Sequence, residues 1–140
     1  MVRYNSKNQI SIENFKTPFQ NSLNPENRWA KLSLQIPWDS LAEIYYRNMS
    51  KDQGDPCRDA RMVIGAMIIK HKLNLSDEET VRQIQENPYM QYFLGFTGFT
   101  EEPVFVPSLF VEIRKRLGAD KFDEMNKEIM NTAFNSRENR

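Results

Sequence analysis

The side chains that could do chemistry in this chain are few, and their settings argue against catalysis. His71 is the only histidine and Cys57 the only cysteine. Acid–base or metal chemistry at a histidine needs an orienting partner or co-ligands, and a lone histidine brings neither. His71 sits between Lys70 and Lys72, which marks a surface or helix-capping residue. Cys57 lies in a polar stretch with no identifiable base, so nothing activates its thiol. A glycine-rich phosphate loop and a zinc-spaced cysteine pair are both missing. Glu78, Glu79, Asp120, Asp123 and Glu124 could in principle be the carboxylates of a two-metal nuclease. Each instead falls in the first turn of a helix read below, where a carboxylate complements the helix dipole. No catalytic residue, metal or cofactor is expected.

The cations are more informative. Lys plus Arg and Asp plus Glu number 19 each, a net charge of zero. Non-specific DNA binding is driven by cations that displace counterions from phosphates. A neutral chain must therefore gather its cations on one face to bind DNA. One basic stretch runs from Met1 to Ile36, where Arg3, Lys7, Lys16, Arg28 and Lys31 face only Glu13 and Glu26. Another is the run Arg114-Lys115-Arg116.

The elements that hold these residues follow from caps and periodicity. Residues 1–23 have little periodicity and read as an arm whose Phe15 and Phe19 dock onto the body. Asn24-Pro25 predicts a helix start, since Asn caps free amides and Pro fits the first helical position. Trp29, Leu32 and Ile36 then recur at helical spacing. Pro37 ends that helix, and a second begins near Asp39 with Leu41, Ile44, Tyr45 and Met49 inward. Residues 50–56 read as a polar loop. Residues 58–73 are apolar in nearly every direction around the axis, as in a buried central helix, with Gly65 admitting a close neighbour. Asn74 ends it.

Ser76-Asp77-Glu78-Glu79 is a capping box for a helix with Val81 and Ile84 inward. Asn87-Pro88 starts a short helix ending at Leu94, and residues 95–107 form a loop. Residues 108–117 place Leu109, Phe110, Ile113 and Leu117 inward until Gly118 stops the helix. Residues 119–134 form a last amphipathic helix through Phe122, Met125, Ile129 and Ala133. The best two-residue alternation, Val104–Val106, is short. The expected fold is all-α, a compact bundle of about six or seven helices.

With 140 residues, 39% of them hydrophobic and 27% charged, the chain fits one domain with one core. The expected boundaries are an arm at 1–23, a helical domain at 24–134 and a polar tail or linker start at 135–140. The polar start lacks a signal-peptide core. The longest apolar run, Met62 to Ile69, falls short of the roughly 20 residues that span a bilayer. A cytoplasmic protein with no membrane partner is expected.

Three stretches carry a family resemblance: Asn24-Pro25-Glu26-Asn27-Arg28-Trp29 through Ile36-Pro37-Trp38; Leu73-Asn74-Leu75-Ser76-Asp77-Glu78-Glu79-Thr80 through Gln85-Glu86-Asn87-Pro88-Tyr89-Met90-Gln91-Tyr92-Phe93-Leu94-Gly95; and Pro107-Ser108-Leu109 through Arg114-Lys115-Arg116-Leu117-Gly118. In order and spacing the chain resembles the N-terminal domain of bacterial DDE transposases of the insertion-sequence-five and related groups, over roughly residues 24–134. In that family a ribonuclease-H-like domain with metal-binding Asp, Asp and Glu follows and performs the DNA chemistry. That domain needs a sheet, for which this chain has no strands. The resemblance thus implies a non-catalytic front domain, excised or from a truncated gene, and a nucleoid-associated location.

By the same analogy a helix-turn-helix-like unit comprises residues 76–86, 89–94 and 108–117, and the last helix of such a unit enters the major groove. The partner implied is double-stranded DNA, the terminal inverted repeats of the element. Candidate contacts are Arg82 and Gln83 on the earlier helix, with Ser108, Arg114, Lys115 and Arg116 on the later one. The later helix is preferred, because the earlier one opens with three acids and offers only Arg82, Gln83 and Gln85 as readers. Two positions depart from the family's usual pattern: Val106 stands where an acid often precedes Pro-Ser, and Glu112 where a basic or neutral residue is common. The alternative is a protein-interaction module that self-associates in the transposase assembly. Tyr45, Tyr46 and Tyr92 would serve such an interface if exposed, or the domain's own core if buried.

Overall fold

Seven α-helices and one short 3-10 turn make up the regular structure among the described residues. A computed structural model describes residues 10–17, 22–49, 59–103 and 107–138, with side chains through 134. The 3-10 turn is Ile12–Asn14, followed by α1 (Arg28–Gln35), α2 (Trp38–Met49), α3 (Ala60–Leu73), α4 (Asp77–Glu86), α5 (Pro88–Phe93), α6 (Ser108–Leu117) and α7 (Ala119–Glu138). The all-α expectation holds. Arg3, Lys7, Phe19, the 50–56 loop, Cys57, Arg58 and Val104–Val106 lie outside the described residues.

The first and last helices differ in extent from the sequence expectation. The first helix starts at Arg28 with Asn27 as its cap, whose side chain accepts from Trp29 N at 2.8 Å. Asn24 instead closes a turn: its Oδ1 accepts from Glu26 N and its carbonyl from Asn27 N. That turn brings Asn24 N to Tyr89 Oη at 2.9 Å, so the first asparagine joins α1 to α5. The last helix runs on to Glu138, because residues 135–138 hold no Gly or Pro to stop it.

Asp59, which lies inside the helix expected from sequence, caps α3. The other caps fall where the sequence puts them, and Ser76 accepts from Glu79 N to cap α4. Asn87 serves twice: its amide ends α4 on Ile84 O, and its side chain accepts from Tyr89 N and Met90 N to start α5. Asn74 takes the left-handed conformation, φ 54°, that terminates α3.

α3 is the hub. Every residue from Val63 to Ile69 is buried, and α2, α4 and α7 pack against it. α7 also lies along α2 and α6, burying Phe122, Met125, Ile129, Met130 and Ala133. α1 packs on α5, where Phe93 sits edge-on to Trp29 and Trp38 at centroid distances of 5.5 and 5.0 Å. Leu94 fills the space left by Gly65, where a Cβ would stand 2.9 Å from Leu94 Cδ1. A smaller cluster joins Phe15, Leu23 and Tyr92. It pins the arm, whose Lys16 backbone pairs with Thr97 and Phe99 in an isolated bridge.

Two polar side chains inside the core were not foreseen from sequence. Gln91 is fully buried and clips the loop after α5 to the end of α4. Its amide donates to Ile84 O at 3.0 Å and Thr100 O at 2.9 Å, with Gln85 O nearby at 3.3 Å. Its carbonyl accepts from Thr100 N at 2.9 Å. Arg61 is 3% exposed, donates to Phe93 O at 2.9 Å and lies 4.3 Å over the Trp38 ring. Both donate to loop or helix-end carbonyls, as buried polar side chains must.

Candidate nucleic-acid interface

α4 and α6 position the sequence-derived candidates, and they do so unequally. Arg82 is exposed on α4, and Gln83 is half-buried with its amide 3.4 Å from Glu79 Oε2. At 100° per residue, Arg82 and Gln83 project from the side of α4 opposite Val81 and Ile84. Glu78, Glu79 and Glu86 are helical neighbours of Arg82 at spacings of three and four, so this outer face is net acidic. Gln85, the remaining polar reader on α4, is occupied, donating to Glu101 O at 2.7 Å. This side of α4 repels a phosphate backbone.

α6 is different. Leu109, Phe110 and Ile113 are buried, while Ser108, Val111, Glu112, Lys115 and Arg116 are exposed. Ser108, Val111, Glu112 and Lys115 recur at spacings of three and four and share one outward face. Arg114 behaves unlike its neighbours. It is half-buried, its Nη1 lies 3.3 Å from Asp77 Oδ2, and its guanidinium stacks 5.1 Å over Phe122. Arg114 is therefore the residue that fixes the last turn of α6 against α4 and α7. The structure brings Arg114 to the first residue of α4 but does not bring Arg82 and Gln83 to the α6 run: Arg82 lies about 7.5 Å further along α4 and about 140° around it.

The path from α5 to α6 spans residues 94–107. That is much longer than the three- or four-residue turn of a helix-turn-helix. α4 and α5, by contrast, are joined by Asn87 alone. Each long helix of the presumptive unit rests on a different partner, α4 on α3 and α6 on α7.

The sequence reading missed one constellation. Lys70, His71 and Asn74, at the end of α3, line a pocket of about 200 Å³ together with Arg114 and Asn126. Met67, Leu75, Phe110 and Phe122 complete its wall. Lys70 Nζ is 3.6 Å from Asp77 Oδ1, so Asp77 sits between two cations from two helices. Asp77 Oδ1 is buried and accepts no hydrogen bond. The only signal in the sequence was the basic last turn Lys70-His71-Lys72, which any helix end would favour.

Tyr45, Tyr46 and Tyr92 are all buried, so they serve the core and offer nothing to a partner. Among the described residues the large exposed apolar side chains are Leu34 on α1 and Val111 on α6, 82% and 42% exposed. Among the described residues no three His, Cys, Asp or Glu side chains gather to hold a metal. Among them also, no helix is long and apolar enough to cross a membrane.

Comparison with known proteins follows the same stretches. A family model described as "Transposase domain (DUF772)" matches residues 17–116, from the docked arm into the last turn of α6. A curated protein of Rhizobium meliloti, "Uncharacterized protein ORF8 in nfe locus", is 33% identical over 112 residues, covering 80% of this chain and 54% of that protein. The chain thus spans about half the length of that relative. No solved structure matches.

Proposed function

Because this chain belongs to the transposase domain family DUF772, we propose that it acts as the non-catalytic, N-terminal DNA-end-binding domain of a DDE transposase. Its target is duplex DNA of the element's terminal inverted repeats. The domain comprises residue 24 through the end of α7 at Glu138, with 1–23 as an arm whose Phe15, Lys16 and Leu23 dock on it. α7 belongs to the domain although the family match stops short of it, since α7 covers α2, α3 and α6.

The observation that carries the DNA reading is the state of α6: Arg114 anchors the helix end while Lys115 and Arg116 remain exposed. Phosphate contact falls to Lys115 and Arg116, with Ser108 at the helix start as a further phosphate partner. Exposed Val111, between Ser108 and Lys115 on the outward face, suits the apolar contact that a thymine methyl offers. Arg82 and Gln83 are secondary, because the acids of α4 surround them. A self-association role is favoured by one observation, the near-complete exposure of Leu34 on α1. A single leucine is small beside the area of a stable interface.

Fluorescence anisotropy on a labelled inverted-repeat duplex tests the proposal. Each phosphate contact contributes about 0.9 to the slope of log affinity against log salt. Replacing Lys115 and Arg116 with Ala is expected to flatten that slope by up to about 1.8. Binding of equal strength and slope by the double variant would remove α6 from the DNA interface.

A further inference from the structure

We propose that the pocket between α3, α6 and α7 is a phosphate-binding site in which Lys70 and Arg114 hold a phosphoryl group in place of the Asp77 carboxylate. The inference rests on the DNA-binding reading only for the source of the phosphate, a nucleic-acid backbone rather than the free ion.

The charge balance favours an anion. Lys70 and Arg114 lie 3.6 and 3.3 Å from the two oxygens of Asp77, so two cations share one carboxylate and one positive charge is left over. Neither contact uses the donors well. An ammonium carries three donors and a guanidinium five, while the 3.6 Å contact is beyond hydrogen-bond length. A phosphoryl group, with more charge and more acceptor oxygens, can take two parallel bonds from the guanidinium, which a shared carboxylate at this distance does not.

The site is also preorganised. Phe122 stacks under Arg114 and fixes its plane. Asn74 and Asn126 line the wall beside His71, and an asparagine amide can donate to an oxyanion. The volume of about 200 Å³ is many times what one water requires. Asp77 is then a built-in competitor. It keeps the two cations together when no phosphate is bound, and it sets a threshold that a ligand must exceed.

Two titrations test this, one with inorganic phosphate at constant ionic strength followed by nitrogen-15 NMR and one with duplex DNA at several salt concentrations followed by anisotropy. Phosphate is expected to shift the amides of Asn74 and Asp77, with no matching shift from chloride. Asp77→Asn preserves shape and removes one charge. It is expected to tighten phosphate about tenfold, the equivalent of about 1.4 kcal/mol, and to steepen the DNA salt slope by about one unit. Lys70→Gln is expected to do the reverse, and it keeps the test valid should Asp77→Asn unfold. Phosphate shifts elsewhere, or phosphate affinity that neither variant changes, would overturn the pocket and leave the DNA reading standing on Lys115 and Arg116. Pocket shifts with phosphate, joined to a DNA affinity that both variants leave untouched, would keep the anion site and assign it to the free ion.

Discussion

Replacing Gln91 with Met keeps the length of the side chain and removes every polar contact it makes. Three of those contacts are direct: donation to Ile84 O and to Thr100 O, and acceptance from Thr100 N, all at 2.9–3.0 Å. At about 1 kcal/mol net for each bond, the loss is about 3 kcal/mol. That is a large share of the 5–15 kcal/mol typical of a domain, and it corresponds to a fall in Tm of about 10 °C. Thermal unfolding by circular dichroism reads the total. Hydrogen exchange reads the location, since the Thr100 amide should lose protection while α2 and α7 keep theirs.

Gln91→Glu adds a pH signature. A fully buried carboxyl facing two carbonyl oxygens has its folded pKa raised above the unfolded value. The folded state then binds more protons, so this variant's stability is highest below the unfolded carboxyl pKa and falls as pH rises through the folded one. Its deficit against the parent should widen between about pH 4 and pH 7, while that of Gln91→Met stays flat. If Gln91→Met melts within about 2 °C of the parent, with Thr100 exchange unchanged, the clip does not hold the loop and the reasoning fails.

Further outcomes follow from the packing. Gly65→Ala gains about 1 kcal/mol of helix propensity but drives a Cβ into Leu94, and overpacking costs about 1–3 kcal/mol. Denaturant titration should show a net loss, whereas in a Leu94→Ala background, itself destabilised by about 2–5 kcal/mol, the same Gly65→Ala change should register as a gain. Ser76→Ala removes the α4 cap and should cost about 1 kcal/mol in the same assay.

Much of the fold was legible because its signals are local. Ser76, Asn87 and Asn74 each act within a few residues of themselves, and Gly65 stands out in an apolar helix. Asn24 misled because two asparagines three apart offer equivalent caps, and only the bond to Tyr89, 65 residues away, decides between them. Gln91 and Arg61 were invisible for a related reason. A polar residue reads as outward in any hydrophobic pattern, and the carbonyls these two satisfy are set by tertiary packing. The stretch Asn87 to Leu94 looked specific as a string, and its density of separate duties explains why: cap, aromatic wedge, polar clip and the leucine opposite Gly65. The candidate site was half legible. The basic run of α6 could be read, but its engagement with Asp77, and the arrival of Lys70 beside it, depend on how α3, α4 and α6 meet.

Asn87 has a mechanical consequence. One residue closes α4 and opens α5, with its amide bonded to the helix before it and its side chain to the helix after it. The two helices form a fixed elbow, braced further by Gln91 across its inner angle. Any rearrangement that accompanies partner binding must therefore be taken up outside this elbow. α4 and α5 thus move as one rigid bracket, and α6, with its basic end, is fastened to it through Arg114 and Asp77.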